Sequence, residues 1–196
     1  MFLSHQQKHT PVATLCQRAP SQEGNLLDLI NLFMYFILFI LFVILQRFSE
    51  LFIARRNEKW LRSQGAVEYG ADHYPYMVVL HTLFIISIIV EYMLKNNAPI
   101  DYTFLILFIL LLAFKFWTLS SLGKYWNTKI FRVPGAGPVK RGPYKLFKHP
   151  NYIDVICEII VIPMVFHLYY TAIIFTVLNA IMLMVRIRVE EKVWAK

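Results

Sequence analysis

Long apolar segments constrain this chain more than any other feature of its 196 residues. A helix needs about 20 consecutive apolar residues to cross a bilayer, because the hydrocarbon layer is about 30 Å thick. Hydrophobic residues make up 58% of the chain, whereas a soluble domain contains roughly 45–50%. We therefore predict an all-α integral membrane bundle of about five transmembrane helices. The segments of spanning or near-spanning length are residues 32–54, 76–94, 102–122, 152–166 and 170–185.

The sequence divides into three parts. Residues 1–31 are polar, without periodicity or the apolar core of a signal peptide, so we predict a disordered tail. Met34 is a candidate alternative start, since the organised chain begins there. Residues 32–122 contain the first three predicted helices. Residues 123–196 contain a basic loop, a helical hairpin and a C-terminal cytoplasmic segment.

Basic residues are distributed unevenly over the connecting segments. They concentrate in residues 55–75, in residues 123–151 and at the C-terminal end, whereas Lys95 stands almost alone between the second and third helices. Cytoplasmic loops carry the excess of Lys and Arg, so this pattern places both long loops and the C-terminus in the cytoplasm. The net charge of +8 predicts anionic membrane lipids as partners rather than nucleic acid, for which the chain carries no signature.

Charged side chains inside the apolar segments need an explanation, because each costs about 2.5–3.5 kcal/mol at the centre of a spanning helix. Arg47 and Glu50 share a helix face, which predicts an ion pair or a pocket wall. Lys115 is expected to extend toward the cytoplasmic face. Asp154 and Glu158 also share a face, and their repulsion predicts a cation, a basic side chain or ligand hydroxyl groups between them. The helix dipole is an alternative reason for Asp154.

The stretch RGPYKLFKHPNYIDVICE leads from a basic loop into the fourth apolar segment. Pro150 suits the first turn of a helix, which makes His149 its N-cap. The free N–H groups of that turn predict an anion site. The segment VRIRVEEKVWAK must meet this elbow, because the two arms of the hairpin are adjacent. The alternatives are an ordinary basic surface loop and an amphipathic exit helix with intrahelical ion pairs.

Together these two segments resemble the isoprenylcysteine carboxyl methyltransferase family of small integral membrane enzymes. The family pattern reads roughly G-x-Y-x-x-x-R-H-P-x-Y-x-G, then a hydrophobic hairpin, then R-x-x-x-E-E. In this chain Lys148 replaces the usual Arg and Asp154 the usual Gly. The segments QRFSELFIARRNEKWL and HYPYMVVLH further resemble bacterial members. The matching positions are Gly142, Tyr144, His149, Pro150, Tyr152, Arg186, Glu190 and Glu191.

The resemblance implies S-adenosylmethionine as the cofactor and methyl transfer to an oxygen of a lipophilic acceptor that enters from the bilayer. It implies no metal. Arg186 would orient an anionic acceptor oxygen, and His149 or Asp154 (or Glu158) would deprotonate a hydroxyl acceptor. Tyr144, Tyr152 or Trp126 would face the sulfonium of the cofactor in a cation–π contact. The implied cofactor-binding residues are His149, Tyr144, Tyr152, Glu190 and Glu191.

The acceptor stays open between two classes. Isoprenylcysteine is the substrate of the eukaryotic members, and the bacterial relatives imply alkylpyrone-type polyketide lipids. A bacterial plasma membrane with the catalytic face in the cytoplasm is the expected location.

Two other functions compete with methyl transfer. The elbow HPNYID also resembles H-x-N-Y-x-G-[DE] of membrane sterol and steroid reductases, which would imply NADPH. A non-catalytic scaffold or transporter subunit is the third reading. The paired acids after Arg186 favour the methyltransferase, because a scaffold does not need them.

Overall fold

The structure is a computed structural model that describes residues 22–95 and 98–194. The predicted all-α membrane bundle is confirmed, since four of the five helices below are long and apolar enough to cross a membrane. The helices are α1 Gln22–Ser63, α2 Tyr74–Leu94, α3 Tyr102–Leu122, α4 Pro150–Met164 and α5 Tyr169–Trp194. Two short strands, β1 Val67–Tyr69 and β2 Ile130–Arg132, pair antiparallel at one end of the bundle.

The first helix is longer at both ends than the predicted segment. Residues 22–31, for which we predicted disorder, form the first turns of α1, because LLDLI at 26–30 prolongs the apolar helix. The rest of the predicted tail lies outside the described residues. At the other end α1 continues past Ala54, since no Gly or Pro interrupts the chain before Gly65. There Gly65, at φ 76°, and Ala66 donate backbone hydrogen bonds to Arg62 and Leu61, a Schellman C-cap.

The fourth predicted transmembrane segment forms a short helix with one buried face and one exposed apolar face. At 1.5 Å per residue, the 15 residues of α4 reach only about 22 Å. Its fully buried side chains include Glu158, Ile159 and Ile162. The number of span-length helices among the described residues is therefore four, where we predicted about five. The partner arm α5 has 26 residues, about 39 Å, so it rises well beyond the start of α4 and leaves a recess there.

The hairpin of α4 and α5 is confirmed and closes at the end of the bundle away from that recess. The turn passes through His167, which has a φ of 54°. Both carboxylate oxygens of Glu91 on α2 accept hydrogen bonds from α5, from the N–H groups of Tyr170 and Thr171, at 3.1 and 2.7 Å. Those two N–H groups would otherwise be unsatisfied at a helix start. The hairpin is thus held in place by its neighbours.

Apolar side chains divide between an interior and a lipid-facing surface. In the interior, the rings of Phe36 and Tyr92 stack at 3.6 Å, and Phe166 meets both edge-on. On the surface, large side chains such as Phe116 remain exposed along the span-length helices. Apolar surface on this scale is typical of a face covered by lipid.

Candidate functional site

A cavity of about 660 Å³ occupies the recess where α4 begins and α5 ends. Its walls are the first turn of α4, the last turns of α5, the segment 125–140 and the turn at Gly142–Lys145. Pro150 lies in the first turn of α4 and His149 is the N-cap, as predicted. The helix begins here because the proline at its start forfeits no hydrogen bond. This start directs His149 and Tyr152 into the cavity wall.

Three of the predicted residues form one cluster around the Glu190 carboxylate. The Tyr152 hydroxyl donates to Oε2 of Glu190 at 2.6 Å, and Nδ1 of His149 lies 3.6 Å from the same oxygen. The rings of His149 and Tyr152 stack with their centroids 5.3 Å apart. The second ring nitrogen of His149, Nε2, is buried and has no hydrogen-bond partner in the described chain. Nε2 is therefore an atom that a ligand in the cavity would satisfy.

Arg186 is a buried cation in the cavity wall, with 5% of its surface exposed. Its Nη2 donates to the carbonyl of Thr128 at 2.8 Å, and Nη1 lies 2.9 Å from the sulfur of Met77. Its Nε is buried without a partner, and no acidic side chain in the described ranges forms a salt bridge with it. Burying an unpaired charge is costly, so this guanidinium is suited to an anionic group.

The remaining predicted residues complete the wall. Burial, reinforced by the charge of Glu190, raises the pKa of the Tyr144 phenol above its ordinary value, so the phenol is neutral at physiological pH. Glu191 lies at the exposed rim and forms a salt bridge with Lys148 at 2.5 Å. The Trp126 ring is buried against the cavity. Its Nε1 donates to the side-chain amide oxygen of Asn151 on α4 at 3.2 Å.

The anion site predicted at the start of α4 has fewer free N–H groups than expected. The N–H groups of Tyr152 and Ile153 both donate to the carbonyl of His149, at 3.1 and 3.2 Å. Pro150 has no N–H group. In the first turn only the N–H of Asn151 is left for a ligand, among the described hydrogen bonds. An anion here would therefore depend on side-chain donors as well.

The cavity brings together six of the seven predicted site residues, and Asp154 is the exception. The alternative of an exit helix with intrahelical ion pairs is wrong, because Glu190 contacts α4 rather than Arg186. The prediction did not include Thr128, whose carbonyl orients Arg186. No sequence signal marks such a residue, since every residue type carries a backbone carbonyl.

Asp154 belongs instead to a buried charge cluster of α1, α3 and α4. Nζ of Lys115 lies 2.5 Å from Glu158, 2.8 Å from Glu50 and 3.4 Å from Asp154. Lys115 is thus the basic side chain predicted between Asp154 and Glu158. Our expectation that it extends to the cytoplasmic face is wrong, because these carboxylates hold it inside the bundle. Asp154 is 1% exposed, and neither of its oxygens makes a hydrogen bond in the described chain.

The rest of this cluster closes into a ring of alternating charge. Arg47 donates to Glu50 at 3.0 Å and to Glu158 at 2.8 Å, which confirms the predicted Arg47–Glu50 ion pair. Gln46 donates to the same two acids at 3.0 and 2.9 Å. Glu50 and Glu158 therefore each form ion pairs with both Arg47 and Lys115. The ring fixes α1 against α4 directly beneath the recess.

Comparison with known proteins identifies relatives along most of the chain. A family model described as "Isoprenylcysteine carboxyl methyltransferase (ICMT) family" matches residues 104–196. A Bacillus subtilis (strain 168) protein named "Uncharacterized protein YpbQ" is 47% identical over 151 residues, which cover 76% of this chain and 90% of the relative. An "Uncharacterized protein" of Haemophilus influenzae (strain ATCC 51907 / DSM 11121 / KW20 / Rd) is 31% identical over 149 residues, which cover 74% of this chain and 86% of the relative.

No solved structure matches the chain. The matched range begins at Phe104 in α3 and includes α4, α5 and every predicted site residue. The structure is the membrane-spanning helical bundle that the resemblance implied. The chain therefore belongs to the isoprenylcysteine carboxyl methyltransferase family.

Proposed function

We propose that the protein transfers a methyl group from S-adenosylmethionine to a carboxylate or hydroxyl oxygen of a lipophilic acceptor at the membrane. The observation that carries the proposal is the convergence of His149, Tyr152, Arg186 and Glu190 on one recessed cavity. Family membership favours methyl transfer over NADPH-dependent reduction. The buried guanidinium of Arg186 has no acidic partner in the described chain, which disfavours a scaffold, because a scaffold would gain nothing from the cost of burying this charge.

The groups around the cavity fit those of S-adenosylmethionine. Glu190 and Glu191 supply carboxylates for the ammonium or the ribose hydroxyls, and Tyr144, Tyr152 and Trp126 supply aromatic faces for the sulfonium. The volume of about 660 Å³ is in the range of ligand sites, roughly 300–1,000 Å³. When bound, the cofactor supplies an electrophilic methyl group, and the electron pair of the broken carbon–sulfur bond stays on sulfur.

Arg186 would bind the acceptor oxygen. Two of its nitrogens are occupied by Thr128 and Met77, so its position is fixed and Nε remains to donate to an anionic oxygen. A carboxylate acceptor is already nucleophilic and needs no general base. For such an acceptor the chain has only to position the oxygen and exclude water.

A hydroxyl acceptor must also lose a proton, and His149 would receive it. The Glu190 carboxylate 3.6 Å from Nδ1 favours the tautomer that carries its proton on Nδ1. That tautomer leaves a lone pair on Nε2, the buried atom that has no hydrogen-bond partner among the described residues. The acceptor class therefore decides whether His149 takes part in the chemistry or only in binding.

The acceptor would be a prenylated or polyketide-type lipid that reaches the recess from the bilayer. The relatives in Bacillus subtilis and Haemophilus influenzae support a bacterial plasma membrane. The excess of Lys and Arg around the recess supports a cytoplasmic orientation of the cavity. A water-soluble cofactor would then enter from the cytoplasm, while the acceptor enters from the side.

Isothermal titration of the detergent-purified protein tests this proposal. We expect binding of S-adenosylmethionine but not of NADPH, and about tenfold or greater weakening by Glu190→Gln or His149→Ala. Asp72→Asn, at an exposed position outside the cavity, is the control and should bind as the wild type does. Binding of NADPH alone would refute methyl transfer. Transfer of a labelled methyl group to fractions of a bacterial lipid extract would then identify the acceptor class.

A further inference from the structure

A second cavity, which we call the side groove, lies at the end of α3 beside the candidate active site. It has a volume of about 540 Å³ and is lined by Trp60, Lys124, Tyr125, Lys140 and Arg141, with Ser120 at the end of α3. Tyr125 and Lys140 also line the larger cavity, so the two cavities share a wall. The proposed methyl transfer gives the side groove no role.

The side groove carries an unbalanced positive charge. Lys124, Lys140 and Arg141 line it, and none of its lining residues in the described part of the chain is acidic. Across residues 22–95 and 98–194, none of these three side chains forms a salt bridge. Lys124 makes a cation–π contact instead, with its Nζ 5.6 Å from the centroid of the Trp60 ring. Nearby Lys129 differs, because Glu58 at 3.1 Å and Glu68 at 3.3 Å neutralise it. The side groove is therefore built to attract an anion, unlike the paired surface next to it.

An apolar surface that faces the bilayer continues directly from the side groove. Phe116 precedes Ser120 by four residues and therefore shares its helix face. The side chain of Phe116 is 75% exposed, on a helix of spanning length. Trp60 and Tyr125 pack edge-to-face at 5.2 Å beside the groove, and both residue types favour the membrane–water boundary. Basic and apolar surfaces thus meet at the depth of lipid headgroups.

We propose that the side groove binds an anionic phospholipid. Lys124, Lys140 and Arg141 contact the phosphate of its headgroup, and its acyl chains lie against Phe116. A free anion would use only the basic half of this surface, whereas a phospholipid uses both halves. Because Lys140 belongs to both cavities, the bound headgroup also supports one wall of the active site.

Native mass spectrometry of the detergent-purified full chain tests the proposal with phosphatidylglycerol and phosphatidylcholine as probes. The test variant is Lys124→Gln/Arg141→Gln, since both residues line the side groove and neither lines the larger cavity. The matched control is Arg55→Gln/Arg56→Gln, which removes two exposed charges from α1 that line neither cavity. We expect the wild type and the control to retain phosphatidylglycerol preferentially, and the test variant to lose about tenfold or more of that affinity.

Four further measurements make the outcome decisive. Lys124→Arg/Arg141→Lys should restore binding, which separates lost charge from a folding defect. Phe116→Ser should weaken the binding of phosphatidylglycerol but leave the binding of glycerol phosphate unaffected. Equal losses in the test and control variants would overturn the proposal in favour of general surface charge. Glycerol phosphate binding as tightly as phosphatidylglycerol would overturn it in favour of a free-anion site. Titration of the test variant with S-adenosylmethionine measures cofactor binding on its own. A failure of the phospholipid proposal can therefore be distinguished from a failure of the proposed methyl transfer.

Discussion

The hydroxyl of Tyr152 on α4 lies 2.6 Å from the carboxylate of Glu190 on α5. This hydrogen bond joins the two arms of the hairpin at the level of the recess and orients the carboxylate that also faces His149. In the proposed function Tyr152 would therefore act on a ligand both through its ring and through Glu190. Removing only the hydroxyl separates these two contributions.

Tyr152→Phe should weaken the binding of S-adenosylmethionine by about ten- to a hundredfold, since a hydrogen bond to a charged group contributes roughly 1.5–3 kcal/mol. The ring is retained, so the thermal stability should change little. Titration calorimetry measures the affinity. Tyr76→Phe, which removes a hydroxyl from the exposed surface of α2, should leave the affinity unchanged. An unchanged affinity in Tyr152→Phe would show that Glu190 does not need this partner.

Arg186→Lys should lower kcat/KM for the acceptor by about a hundredfold or more, because Lys keeps the charge but lacks the planar fork and its Nε donor. The affinity for the cofactor should change much less. Radiolabelled methyl transfer at varied acceptor concentration measures the effect. Arg188→Lys is the matched control, since Arg188 is exposed on the same helix. A similar loss in both variants would contradict the assigned role.

His149→Ala distinguishes the two acceptor classes. With a hydroxyl acceptor we expect the rate at saturating cofactor to fall by about 10²–10⁴-fold, the usual contribution of a general base. With a carboxylate acceptor at saturating cofactor the same variant should lose less than about tenfold, because no proton is transferred. Single-turnover assays on one lipid of each class measure both rates. Equal losses with the two acceptors would exclude His149 as the base.

Glu158→Gln should destabilise the bundle by about 3–5 kcal/mol, because it leaves Lys115 and Arg47 buried with too little negative charge. Chemical unfolding in detergent, followed by tryptophan fluorescence, measures the loss. Adding Lys115→Met to this variant should recover part of it, since one excess charge is then removed. Asp28→Asn, at an exposed position of α1, is the control. A Glu158→Gln protein as stable as the wild type would contradict the structural role of the charge ring.

Much of the architecture could be predicted because it depends on local sequence. The apolar segments predict the helices through the thickness of the bilayer, and Pro150 marks the start of α4 through its missing N–H group. The short connection near His167 predicts the hairpin, and the hairpin makes the elbow meet Arg186 and Glu190. The site was therefore predictable in outline from adjacency in the chain.

Other features depend on partners that are distant in the sequence. Lys115 and Glu158 are 43 residues apart, and Lys115 and Glu50 are 65 apart, so no local pattern reveals that they share one buried cluster. The same contacts decide that Asp154 belongs to this cluster rather than to the cavity.

By itself, the sequence determined the membrane bundle, the hairpin and the set of residues around the recess, because hydrophobicity, helix capping and chain connectivity act locally. Only the tertiary structure decided which face of α4 is buried, that Glu190 pairs with Tyr152 rather than Arg186, and that Arg186 is left without an acidic partner in the described chain. The physical reason is that a buried polar group takes whichever partner the packing of all the helices brings within hydrogen-bonding distance.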